Sequence, residues 1–183
     1  MLGGFQGLRA ADRRLRTLID SGYLARKKYL YGMPYLYTLT HKGRVLIGVN
    51  KREDKIRVDQ IAHDIYVVDV VIFLLKKYNL SLDAITSEKE LHIKDGFGTR
   101  KHQPDFVFTM EGKQYAVEVE LALKGRERIE KNIRDNYLSY DHQIWITNET
   151  RVSSLIESFK SEYSNIYITH LKEVMEYTKT GFG

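Results

Sequence analysis

The stretch "YAVEVELALKG", residues 115–125, limits the fold more than any other part of the chain. Side chains alternate along an extended strand, so Tyr115, Val117, Val119 and Leu121 share one face while Ala116, Glu118, Glu120 and Ala122 share the other. The segment reads as a strand that runs into the start of a helix. Same-face residues two apart stand about 7 Å from each other, so Glu118 and Glu120 repel unless a cation is close. That cation is a metal ion, a lysine such as Lys124, or, at a solvated edge, nothing but water. A central strand covered by helices makes the last option costly, because carboxylates are rarely buried without counter-charge.

The chain has 183 residues and no Pro-rich or Gly/Ser-rich tract, enough for one full core and a small satellite domain. It has no cysteine, which excludes thiol catalysis, disulfides and cysteine-ligated zinc and suits a reducing compartment. The most apolar run, "IYVVDVVIFLL", is too short to span a bilayer and carries Asp69 in its middle. A cytoplasmic protein with no membrane partner is expected. Charge is unevenly placed. Residues 1–57 hold 13 Lys/Arg against four acids, a net of +9, and the remainder carries −4 of the total of +5. A basic lobe joined to a mildly acidic one points to a polyanion as partner of the first part.

In "LRAADRRLRTLIDSGYL" the apolar residues Leu8, Ala11, Leu15, Leu18, Ile19 and Leu24 mostly follow helical spacing, and Gly22 supplies a stop signal after Ser21. Two short extended segments follow, 23–30 and 35–39, joined by the turn "YGMP"; Thr40 is then a plausible N-cap for a second short helix. Arg9, Arg13 and Arg16, four and three apart, line one side of the first helix, and Arg26, Lys27 and Lys28 flank the hairpin. Arg9, Arg13 and Arg16 are candidate contacts to phosphates or guanine edges of double-stranded DNA, and Arg26, Lys27 and Lys28 are further candidate DNA-binding residues.

Helix, hairpin and helix, carried by "RRLRTLIDSGYL" and "YLYTLTHKG", resemble the back half of a winged helix-turn-helix domain, a recognition helix followed by a two-stranded wing. Such domains have a further helix in front, which "MLGGFQG" cannot supply. The expectation is a truncated or internally started chain, or a partner that completes the core: a second copy, or a replication or transfer protein. The domain boundaries expected are 1–50 for the partial winged helix, 51–57 for a charged linker and 58–183 for the rest.

After the linker, "VDQIAHDIYVVDVVIFLLKKYN" has the apolar density of a largely buried helix. Extended "SEKELHI", a glycine turn "KDGFG", extended "PDFVFTM", the turn "EGK", extended "YAVEVEL", a helix over 125–140, extended "QIWITN", a helix over 152–163 and extended "NIYITHL" complete the order. An antiparallel meander extended by a crossover gives an α/β layer fold. His63 in the long helix, and Trp145 and Tyr167 in later strands, read as packed residues. The helix after Gly125 carries the stripe Ile129, Ile133, Tyr137, Tyr140 and, opposite it, Lys124, Arg128, Lys131 and Arg134, which either track a phosphate backbone or form i,i+4 pairs with Glu127 and Glu130.

That order, with "QPDFVF" and "VEVE", resembles the PD-(D/E)XK nuclease superfamily and its αβββαβ core. The resemblance implies that Asp105 and Glu118 lie side by side and, with the carbonyl of Val119, ligate Mg²⁺ or Mn²⁺, hard cations that take oxygen donors and activate water for phosphodiester hydrolysis. It also places Glu90, in the first strand, as a further acid. The family's lysine position is Glu120 here. Either Lys124 swings back in its stead, or Glu120 is another metal ligand, or catalysis has been lost and the fold kept as a scaffold. Taken with the winged helix, "AHDIYVVDV", "SEKEL" and "VEVEL" make the whole chain similar to the replication-relaxation proteins of plasmids and mobile elements. This implies a DNA-binding accessory to replication or transfer, with a metal-dependent endonuclease as the alternative.

Overall fold

The computed structural model describes residues 7–29, 31, 35–49, 56–96 and 102–180. The tip of the expected "YGMP" turn, most of the charged linker and the second half of the "KDGFG" turn lie outside the described residues, as does most of "MLGGFQG". The chain divides into two compact units, Met1–Ile61 and Ala62–Gly183.

In the first unit, α1 (Leu8–Asp20) ends where the sequence signals it. Gly22 takes φ +74°, its N–H bonds to Ile19 O at 2.8 Å, and the next N–H, of Tyr23, bonds to Leu18 O at 2.9 Å. This is a Schellman closure, which a left-handed glycine makes at little strain. Strands β1 (Leu24–Lys27) and β2 (Leu36–Leu39) pair antiparallel, with Leu24 opposite Leu39. Thr40 caps α2 (His41–Leu46): its hydroxyl oxygen accepts the Gly43 N–H at 3.1 Å and donates to Gly22 O at 2.7 Å, joining the two helix ends. Gly43 is buried, and a Cβ there would come 2.2 Å from Tyr23 O, so no other residue fits without moving the backbone. Ala11, Leu15, Leu18 and Ile19 on α1 are only half-buried.

The second unit is mixed α/β. Its five-stranded sheet has the order β3 (Ile85–Ser87), β4 (Phe106–Met110), β5 (Lys113–Glu120), β6 (His142–Thr147), β7 (Ile166–His170). The first three strands form an antiparallel meander, and β6 and β7 add in parallel. The "YAVEVE" strand is therefore central. On one sheet face α3 (Ile61–Lys77) and α7 (Leu171–Thr180) bury Val70, Phe73, Leu74, Leu171 and Val174 against Phe106, Phe108, Val117, Val119, Ile144 and Ile146. On the other, α5 (Arg126–Ser139) and α6 (Thr150–Glu157) bury Ile129, Ile133, Val152 and Ile156 against Trp145 and Ile166.

Three expectations need correction. "SEKELHI" is not a strand: β3 stops at Ser87 and α4 (Glu88–Asp95) begins. Ser87 and Glu90 form a capping box, with the Ser87 N–H and hydroxyl both donating to Glu90 Oε2, at 2.8 and 2.7 Å. The S-x-x-E spacing wins over the apolar alternation because it satisfies orphan groups at a helix start. Tyr167 is not core; it is 52% exposed. Lys124 precedes α5 rather than opening it.

Candidate functional site

β5 ends at the oxygens that matter. Glu118 and Glu120 face the α5 side, opposite Trp145 and Thr147 of β6, and both are buried. Asp105, just before β4, reaches across so that its Oδ2 accepts the Val119 N–H at 2.7 Å. The structure thus brings Asp105, Glu118, the Val119 backbone and Glu120 to one strand end. Glu90 is occupied instead in the cap of α4.

Each of the three carboxylates has its own nitrogen partner from the protein. Lys124 Nζ lies 2.6 Å from Glu120 Oε2. His102 Nε2 lies 2.6 Å from Glu118 Oε1, which also accepts from Asn136 Nδ2 of α5 at 2.9 Å. Burial pushes the Glu118 carboxyl up from its ordinary value, while the His102 and Asn136 hydrogen bonds pull it back. His63, on the first turn of α3, points Nε2 at both Val119 O (3.1 Å) and Asp105 Oδ1 (3.4 Å), with Asp64 Oδ1 3.8 Å from its other ring nitrogen. The hydrogen bond to Asp105 is the largest influence on His63. Burial opposes it, and attraction to Asp105 and Asp64 adds to it, raising the imidazole to about 9. Behind His102, Gln103 donates to Asp95 and accepts from the Tyr140 hydroxyl at 3.1 Å, tying α4 and α5 to the same loop.

This geometry tests the Mg²⁺ or Mn²⁺ expectation. A hard divalent ion needs open carboxylate and carbonyl oxygens. Here both Asp105 oxygens, the Val119 carbonyl and Glu118 Oε1 already receive protein donors, and among the described residues no three His, Asp or Glu side chains converge as a metal-holding group. The arrangement fits an imidazolium at the Asp105–Val119 position rather than a metal ion.

The sequence reading treated His63 as packing and missed His102 and Asn136. Asn136 had a signal: it falls with Ile129 and Ile133 on the buried side of α5, where a polar residue needs a buried partner. His102, three residues before Asp105, carried no pattern. Of the basic residues on α5, Lys131 pairs with Asp135 at 3.8 Å.

In the first unit, Arg9, Arg13 and Arg16 are all exposed on α1. At about 100° per residue they fall within an arc of about 60°. Arg26, Lys27 and Lys28 are exposed too, and tyrosines hold them: the Arg26 guanidinium sits 3.7 Å over the Tyr35 ring, Lys27 4.9 Å over Tyr29 and Lys28 5.5 Å over Tyr31. Among the described residues no helix is long and apolar enough to cross a membrane. No protein-family model, curated protein or solved structure matches this chain.

Proposed function

We propose that the chain is a DNA-binding accessory protein of plasmid or mobile-element replication or relaxation, acting in the cytoplasm, whose second unit is a PD-(D/E)XK-like scaffold. The observation that carries the DNA reading is the exposed arginine arc of α1 beside a hairpin whose cations are braced on tyrosine rings. A helix of 13 residues is about 20 Å long, and the major groove, about 12 Å wide, admits it. In this reading Arg26, Lys27 and Lys28 of the hairpin serve the adjoining phosphates as a wing does. Fluorescence anisotropy on duplex DNA across a salt series tests this. Arg9→Ala, Arg13→Ala and Arg16→Ala combined should weaken binding and reduce the log–log salt slope by about 2.7, roughly 0.9 per lost phosphate contact. An unchanged slope places the interface elsewhere.

A second reading, a Mg²⁺-dependent endonuclease, is favoured by one observation, the convergence of Asp105 and Glu118 on the end of β5. Plasmid nicking with Mg²⁺ or Mn²⁺, abolished by chelator and by Asp105→Ala, would support it. Duplex binding that is insensitive to chelator, with no nicking, supports the scaffold. His63→Leu, which frees the Asp105 and Val119 oxygens, should raise Mn²⁺ affinity if those groups are latent ligands.

A further inference from the structure

The helical layer on the α3 face of the sheet is incomplete. Where α3 ends, a cavity of about 420 Å³ opens, lined among others by Lys77, Tyr78, Met110, Tyr115, Lys160 and Tyr167. An aromatic row crosses four adjacent strands beside it. Tyr78 stacks on Phe108, Phe108 on Tyr115 (centroids 4.8 Å, planes 6° apart), Tyr115 lies 4.6 Å from His142, and His142 meets Tyr167 edge-on at 5.6 Å. The row ends on Tyr167, which is 52% exposed and lines the cavity. Two cations line the same space. The Lys77 ammonium lies 5.1 and 5.5 Å over the Phe73 and Tyr78 rings and has no carboxylate partner among the described residues; Lys160 pairs at 2.9 Å with the exposed Glu157.

We propose that this cavity binds a nucleotide, its base stacked on Tyr167 and its phosphate held by Lys77 and Lys160. The volume is within the range of roughly 300–1,000 Å³ usual for small-molecule sites. Ring stacking and ammonium–phosphate pairing are the two interactions a nucleotide offers together. Tyr115 and Glu118 point to opposite sheet faces about 10 Å apart along β5, so this site shares no residue with the carboxylate cluster. It is also independent of DNA binding by α1. A free nucleoside phosphate and the end nucleotide of a single strand present the same chemistry.

Isothermal titration of the full chain with dAMP, ATP and a 5′-phosphorylated single-stranded tetranucleotide tests the proposal. Arg9, Arg13 and Arg16 are replaced by alanine so that α1 does not take up the strand. Saturable binding is expected, weakened about tenfold by Tyr167→Ala, the usual worth of one base–aromatic stack, and at least about tenfold by Lys77→Ala with Lys160→Ala. Adenosine and ribose 5-phosphate, each lacking one half of the chemistry, should bind more weakly than dAMP. Binding of dAMP and ATP assigns a free nucleotide, and binding of the tetranucleotide alone, with the same losses, assigns a strand end. Tyr167 and Lys77 are exposed, so their variants keep the fold. No binding of any of the three, or binding that neither variant weakens, overturns the proposal.

Discussion

Replacing His63 by glutamine keeps a donor near Val119 O and Asp105 Oδ1 but removes the positive charge that the two oxygens share. The folded chain holds this imidazole at about 9 rather than 6.5. Because the folded value is the higher one, protonation favours the folded state. The stabilisation is fully present below about pH 6.5 and is lost as pH rises through about 9. A change of that size corresponds to about 3 kcal/mol for one proton. The side chain is 35% exposed, so solvent screening leaves about 1 kcal/mol as the expected contribution. Urea unfolding of wild type and His63→Gln at about pH 6 and about pH 9 reads it directly. Wild type should exceed the variant by about 1 kcal/mol at the lower pH, and the gap should close at the higher. Asp105→Asn in both backgrounds completes a double-mutant cycle, whose coupling should follow the same pH course. A gap that is equal at both pH values, or that widens with pH, would refute the assignment of an imidazolium to this position.

Lys124→Met should destabilise the second unit by about 2 kcal/mol, because Glu120 is left buried without its cation, and adding Glu120→Gln should recover most of the loss; chemical denaturation of both variants decides. Thr40→Ala deletes the cap that binds α2 to the end of α1 and should cost about 1 kcal/mol, seen as faster hydrogen exchange at Gly43 and Arg44. Ile133→Ala empties a fully buried position under α5 and should cost about 2 to 4 kcal/mol with an unchanged denaturant slope.

The elements that sequence reasoning finds are those with local causes. α1 is legible because its apolar spacing and Gly22 stop agree, and the Thr40 cap because its hydroxyl acts within three residues. β5 is legible as a strand from its alternation, and its central place follows from the parallel addition of β6. "SEKELHI" misleads because its apolar residues alternate like a strand while Ser87 and Glu90 are spaced as a helix cap, a conflict that geometry resolves in favour of the cap. The site is legible in its acids and in Lys124, but not in its histidines. Alternation alone puts Glu118 and Glu120 together. Nothing local ties His63 to Asp105, 42 positions away, or His102 to Glu118, since those contacts exist only once α3 has packed on the sheet and the loop before β4 has folded over its end.

Lys124 also explains how the central strand can bury Glu120. A buried carboxylate with no partner costs several kcal/mol, more than most single interactions in a domain return. With Lys124 four residues downstream, an ammonium arrives at the same strand end, 2.6 Å from Glu120 Oε2, so the Glu120–Lys124 pair is neutral as a unit. His102 and His63 contact Glu118 and Asp105 from two different segments, so the cluster fastens α3 and the loop before β4 to the central strand. Partnered in this way, the carboxylates offer few open oxygens, and a metal ion would have to displace His63 from two of them to enter. The chain's excess of positive charge is instead in residues 1–57, with their net +9. The excess of positive charge and the buried acids thus lie in different parts of the chain, so substitutions in one leave the electrostatics of the other largely unchanged.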